Sequence, residues 1–207
     1  NDNEDSFKKA CRGQKMTTQQ TTEVVLASAS ETRAQLLRKA GVIFHTDPPN
    51  VDEEETKIQL RKNGAGPKDV AQILADIKAK NRAESWPGAL VVGADQVLSQ
   101  GDEIFNKPDT LDTAREQLMR LSGKQHELHT AATVVQNGEV VWQKLSSAEL
   151  LVRRVSKNFV ESYLEKIGLQ ATKTVGSYMV EGLGIQFFED IRGDYFSVLG
   201  LPLLPLL

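Results

Sequence analysis

The sequence predicts a mixed α/β domain, α+β in character, with a twisted mixed sheet, and three observations lead there. Short β-branched runs alternate with capped amphipathic helical segments from residue 23 to the C-terminus. Asn137-Gly138, between two long runs of β-forming residues, is a strong hairpin signal and brings antiparallel pairing into the alternation. No composition break or Pro/Gly/Ser-rich linker divides the 207 residues, so residues 23–207 are expected to form a single domain with two lobes.

The elements follow in chain order. Glu23 to Ala27 reads as a short buried strand. Ser28-Ala29-Ser30-Glu31 then opens a helix: Ser28 with Glu31 has capping-box spacing, and Ser30 is a second candidate cap. Leu36, Leu37 and Ala40 carry the helix to a stop at Gly41. Free N–H groups at such a strand–turn–helix junction suit an anion. Phe44 to Val51 is expected to be extended, with Pro48-Pro49 as breaker. Asp52-Glu53-Glu54-Glu55 reads either as a solvated charge run or as carboxylate ligands for a hard cation. Pro67 starts a helix whose Val70, Ile73, Leu74 and Ile77 follow helical spacing, and Lys78 flanks that apolar stripe. Ala89 to Ala94 shows no alternation and is expected to be a central strand buried on both faces. Asp95 at its carboxyl end is either a turn residue or a ligand-side carboxylate, and Val97 and Leu98 resume the strand.

Gly101-Asp102 is a turn, Lys107-Pro108 opens the next segment, and Leu111 to Leu121 form a helix begun near Thr110. His126 to Gln136 and Glu139 to Lys144 are the hairpin strands, and Ala148 to Val155 a third. His126 and His129 lack ligand spacing and are expected to pack or hydrogen-bond. Ser156 caps a helix ending at Gly168. Ile185 to Ile191 reads as a strand, followed by Arg192-Gly193-Asp194 as a hairpin turn rather than an adhesion motif. The expected order is β-α-(β)-α-β-α-β-β-β-α-β.

Composition excludes several classes of function. With 40% hydrophobic and 26% charged residues the chain is not a disordered one. A net charge of −3, with no stripe of basic and aromatic residues, argues against a nucleic-acid partner. An acidic chain that handles an anion needs locally placed cations or a divalent metal as a bridge. The single cysteine, Cys11, excludes an internal disulfide and a cysteine zinc site, and suits a reducing compartment. No run approaches the roughly 20 apolar residues of a membrane span, so a cytoplasmic protein without a membrane partner is expected. Residues 1–22 read as a flexible leader. Asn1 to Lys15 lack the apolar core of a signal peptide, and Met16 is a candidate natural start.

The signatures G-x-x-x-x-G-K-[ST], G-x-G-x-x-G, G-x-S-x-G and H-E-x-x-H are absent. Five spaced pieces stand out instead. Leu26-Ala27-Ser28-Ala29-Ser30 precedes Arg33 and Leu36-Leu37. Val51-Asp52-Glu53 is next, then Leu74-Ala75 with Lys78-Ala79. Val92-Gly93-Ala94-Asp95-Gln96-Val97 is followed by Lys107-Pro108. Gly176-Ser177-Tyr178 leads to Glu181-Gly182-Leu183-Gly184, and Gly193-Asp194-Tyr195 to Gly200-Leu201-Pro202-Leu203. Leu121-Ser122-Gly123 before His126 and Thr130 falls in the same register. In this order they resemble the Maf family of nucleoside triphosphate pyrophosphatases, from about residue 23 to the C-terminus.

The resemblance implies a twisted mixed sheet in two lobes around a cleft, similar to that of the inosine triphosphate pyrophosphatases. It implies cleavage of a nucleoside triphosphate between the α- and β-phosphates, giving monophosphate and pyrophosphate. A divalent metal, Mg²⁺ or Mn²⁺, a homodimer and a nucleotide-housekeeping role come with it. Asp95 matches the catalytic carboxylate and, with Glu53, the metal site. Ser28, Arg33, Lys78 and Lys107 match the phosphate side. Two departures stand out. The family's consecutive arginines are reduced to Arg33 between Thr32 and Ala34, so one phosphate contact is missing or relocated. Glu181 stands where pyrimidine-preferring relatives carry Gln, which looks more like the branch acting on 7-methyl-GTP. Glu181 is read either as a determinant of base specificity or as support for the metal or a lysine. The competing reading is a nucleotide-binding regulator of septum formation with little turnover. The set of Asp95, Glu53, Lys78 and Lys107 favours the enzyme, because binding alone needs no base beside a metal.

Overall fold

The computed structural model describes residues 22–207. The expected leader, its candidate start and Cys11 therefore lie outside the described residues, apart from Thr22. Among the described residues, seven strands form one mixed sheet: β1 (Val24–Ala27), β2 (His45–Thr46), β3 (Leu90–Gln100), β4 (Glu103–Phe105), β5 (Gln125–Gln136), β6 (Glu139–Val152) and β7 (Phe188–Arg192). Their order is β2-β1-β3-β5-β6-β7, with β4 also paired to β3. β1 runs parallel to β2 and β3, and the pairings of β3 with β4 and β5, of β5 with β6 and of β6 with β7 are antiparallel. The mixed sheet is the expected one. No helix among the described residues is long and apolar enough to cross a membrane.

Five helices of more than two turns accompany the sheet: α1 (Glu31–Lys39), α2 (Glu53–Lys62), α3 (Pro67–Ala83), α4 (Leu111–Leu121) and α5 (Lys157–Ile167). Two short ones follow, α6 (Tyr195–Val198) and α7 (Leu203–Leu206). β-pleat periodicity assigns the faces of β3. Val91 and Val97 pack with α3, while Val92 and Ala94 pack with Leu36 and Leu37 of α1 and with Leu201 and Leu203. A separate cluster gathers Leu98, Phe105, Leu118, Leu128, Leu150, Val160, Leu164 and Phe187 around α4 and α5. The core is thus divided, one part around β1 and the start of β3, the other around the end of β3, as two lobes require.

Several local expectations are corrected. Asp95 is interior to a continuous β3, opposite Ala131 of β5, because Gly93 and Gln96 do not interrupt the ladder. Gly93 has a packing reason: a Cβ there would lie 2.3 Å from the Ala75 carbonyl oxygen and 2.5 Å from the Ala79 nitrogen, so α3 can sit directly on the strand. The acidic run at Asp52–Glu55 opens α2, whose first free N–H groups meet Asp52 as cap. Residues 139–155 hold one long strand, β6, rather than two. Leu183–Phe187 is 3₁₀ helix and β7 begins only at Phe188. Arg192-Gly193-Asp194 joins β7 to α6 and is no hairpin turn; Asp194 caps α6 by accepting from the Ser197 N–H and hydroxyl, each at 2.7 Å. The Asn137-Gly138 hairpin is present, with φ of 51° and 84° at its two turn residues.

The histidines pack as expected. His129 bonds Ser99 at 3.1 Å and Ser147 at 2.8 Å. His126 meets the Tyr178 hydroxyl at 2.6 Å, and its Nδ1 is buried with no partner. Burial lowers the His126 imidazole from 6.5 to about 4, so it is neutral at physiological pH. Between these two values the unfolded chain binds a proton that the folded chain refuses, so stability falls as the pH drops. The expected loss from pH 6.5 to 4 is roughly 3 kcal/mol. Denaturant titrations of wild type and H126Q across this range would show a steeper acid slope in wild type. Equal slopes would contradict the assignment.

Candidate active site

The gap that makes the site is a matter of strand length. β1 pairs with β3 only as far as Ala27 opposite Gly93, and β4 pairs with the same edge only from Leu98 onward. Between them Ala94 to Val97 have no strand neighbour on that side among the described residues. Side chains from both sheet faces, Asp95 on one and Gln96 on the other, therefore reach one cleft, with a volume of about 590 Å³. Ser28, Arg33, Glu53, Lys78, Asp95, Lys107 and Glu181, every site residue expected from the sequence, line it.

At its centre Lys78 holds two carboxylates. Its Nζ lies 2.6 Å from Asp95 Oδ1 and 2.8 Å from Glu53 Oε1. Lys78 is 4% and Asp95 3% exposed, so both charges are out of water and depend on this pairing. α3 delivers Lys78 because Gly93 admits the helix backbone two residues before Asp95. α2 delivers Glu53 at its first turn. Asp95 Oδ2 is buried without a hydrogen-bond partner. An orphaned carboxylate oxygen in a cleft is an acceptor awaiting a proton donor or a cation. Burial works to raise the Glu53 carboxyl, but Lys78, with Lys107 and Lys57, outweighs it and holds the group below the usual carboxylate range.

Arg33 and Lys107 bring further positive charge to this cleft. Arg33 donates from Nε to the Gly200 carbonyl at 2.7 Å and from Nη1 to Ser28 Oγ at 3.2 Å. Gly200 adopts φ 101°, a conformation that suits glycine and presents its carbonyl to Arg33. Burial lowers Arg33, opposed by Asp95 and Glu53, yet a guanidinium stays charged. Loss of solvent in the cleft, opposed by Glu53 and assisted by Arg33, Lys78 and Lys57, holds Lys107 below the usual lysine range. Ser28 is not the helix cap: Ser30 is, accepting from the Arg33 N–H at 3.4 Å. Ser28 Oγ instead accepts from the Ser30 N–H at 3.2 Å and from Arg33, so it shapes the turn and steers the guanidinium.

Glu181 sits at the mouth, where its Oε1 accepts from the Thr32 hydroxyl at 3.3 Å. Among the described residues it makes no ion pair with a lysine or arginine, which weighs against support of a neighbouring lysine as its role. Gln96 was quoted in the sequence without a role. Its Nε2 lies 2.9 Å from Thr130 Oγ1, 3.0 Å from the Ser197 carbonyl and 3.1 Å from the Val198 carbonyl, tying β3 to the α6 turn beside Arg33. Lys57, Thr32 and Tyr178 also line the cleft and were not singled out from the sequence as site residues.

No group of three or more His, Cys, Asp or Glu arranged to hold a metal occurs among the described residues. Asp95 and Glu53 share the Lys78 ammonium, and Asp95 Oδ2 remains without a partner. That donor set fits a hard cation that takes its remaining oxygens from phosphate and water.

Comparison with known proteins gives the family. The family model described as Maf-like protein matches residues 23–207. A 7-methyl-GTP pyrophosphatase of Brucella abortus biovar 1 (strain 9-941) is 47% identical over 187 residues, covering 90% of this chain and 94% of that one. A nucleoside triphosphate pyrophosphatase of Hyphomonas neptunium (strain ATCC 15444) is 45% identical over 184 residues, covering 89% and 92%. Among solved structures, a HAM1 protein from Coxiella burnetii aligns with 65% of this chain and 74% of its own at TM-score 0.41 and 18% identity, too loosely to carry weight. Since the family model runs from Glu23 to Leu207 and the relatives align along nearly their whole length, the chain belongs to the Maf-like protein family.

Proposed function

We propose that this chain hydrolyses nucleoside triphosphates to monophosphate and pyrophosphate. The observation that carries the reading is the buried Asp95–Lys78–Glu53 arrangement, with Asp95 Oδ2 unpartnered in a cation-lined cleft. The names of its relatives point the same way. Water is a poor nucleophile, and Asp95 accepts its proton as the phosphoanhydride breaks. Arg33, Lys78 and Lys107 carry positive charge toward the phosphate oxygens, and Arg33, with Nε and Nη1 held by Gly200 and Ser28, offers them its Nη2 donors. Asp95 and Glu53 would hold Mg²⁺ or Mn²⁺, which when bound supplies charge neutralisation across the phosphates. Pyrophosphate release over a nucleotide panel, with and without Mg²⁺, tests the reading; binding without release would overturn it.

The preferred substrate is proposed to be a purine carrying positive charge, 7-methyl-GTP, with Glu181 as the reader of its base. A carboxylate only accepts hydrogen bonds, which suits the N1–H and N2–H donors of guanine and leaves a pyrimidine carbonyl facing like polarity. E181Q is expected to lower the kcat/KM ratio of 7-methyl-GTP to UTP by roughly tenfold, about the worth of one hydrogen bond to a charged group. Competition between the two substrates reads the ratio directly. A fixed ratio, with both rates falling together, would remove Glu181 from base selection and leave the hydrolysis reading intact.

A further inference from the structure

The cations of the cleft are unequally committed. Lys78 is spent on two carboxylates, and Arg33 on Gly200 and Ser28. Lys57, like Lys107 and Lys173, makes no hydrogen bond or ion pair among the described residues, and it lines the cleft rather than the outer face of α2. Its placement follows from helical spacing. Glu53 and Lys57 are four residues apart on α2 and so share a face, and Glu53 is anchored to Lys78. Arg33 and Thr32 are carried by α1 beside Ser28, Gly200 and Glu181, whereas Lys57 is carried by α2, so the contacts run in the order Asp95, Lys78, Glu53 and, one helical turn on, Lys57. Its charge acts on both Glu53 and Lys107. The α1 side offers no second cation to the substrate: Thr32 is neutral, and Ala34, 2% exposed, is packed in the core.

We infer that Lys57 is a further substrate-binding residue, an uncommitted cation that takes the terminal phosphate of the pyrophosphate end and makes the cleft select triphosphates over diphosphates. The inference rests on the pyrophosphatase reading for the direction in which the substrate lies. With the nucleoside at Glu181 and the scissile bridge at Asp95, the outgoing pyrophosphate extends toward Lys107 and Lys57. A diphosphate bound in the same register leaves Lys57 without a partner.

K57Q and K57R separate charge from shape at a half-buried position on a polar helix, where folding is not at stake; matching melting temperatures would establish that. Calorimetric titration with pyrophosphate and, separately, with a nucleoside monophosphate, both with Mg²⁺, reads the two ends of the substrate. The expected result for K57Q is pyrophosphate binding weaker by roughly tenfold, the worth of one charge-assisted contact, with monophosphate binding unchanged. Its triphosphate-to-diphosphate kcat/KM ratio is expected to fall by a similar factor, and K57R to restore both. Unchanged pyrophosphate affinity, or equal weakening of both ligands, would overturn the inference. Should the wild type release no pyrophosphate from any triphosphate, the hydrolysis reading fails by itself, and the calorimetric comparison still decides whether Lys57 holds the phosphate end.

Discussion

D95N is expected to lower single-turnover hydrolysis by about 10²–10⁴-fold, the loss that follows removal of a positioned general base. The substitution keeps the planar shape and an oxygen to accept from Lys78, so the central ion pair becomes a hydrogen bond and the fold survives. What disappears is the unpartnered acceptor and one negative charge. Melting temperature and substrate affinity measured beside the rate separate the two roles. A rate within a few fold of wild type would remove Asp95 from proton transfer. A large fall in affinity with an unchanged limiting rate would make Asp95 a binding carboxylate instead.

K78M carries the second large effect, and it strikes stability as well as activity. Taking away the ammonium leaves Asp95, buried at 3% exposure, facing Glu53 with nothing between them. Breaking a buried pair by removing one partner costs about 3–5 kcal/mol, because the remaining charge is stranded. Denaturant melts of wild type and K78M read the loss directly. The double variant K78M/D95N is expected to recover much of it, because the stranded charge is gone. A deficit that D95N does not relieve would reduce Lys78 to a packing residue.

How much of this was legible in the sequence depends on which interactions each element uses. β1, α1, α3, α4, α5 and the hairpin were readable because their signals are local: apolar spacing, a cap, a glycine stop, Asn137-Gly138. The site residues were readable as a set, through the resemblance, though not as a geometry. α2 was missed because it buries none of its residues, so no apolar stripe marks it. Its cap was visible all the same in Asp52, whose side chain accepts from the Glu55 N–H at 3.0 Å, and recognising it would have placed Lys57 on the face of Glu53. Asp95 was expected at a strand end because the unalternating apolar run stops at Ala94, while pairing with β5 carries the strand on past it. The single long β6 and the turn into α6 were hidden for a related reason. Pairing with Thr130 and His129 of β5 holds Ser146 and Ser147 extended, and no local pattern announces partners so far along the chain.

β3, β5 and β6 each run unbroken past the cleft, contributing to both parts of the core. A jaw whose two sides share the same strands has no loop at its root to act as a hinge, and closure by domain rotation needs one. Substrate entry then rests on side chains moving locally, while Lys78 and Asp95, already paired on α3 and β3, are set before any nucleotide arrives. The ligand finds the charges already arrayed, and little of its binding energy goes into organising the protein around it.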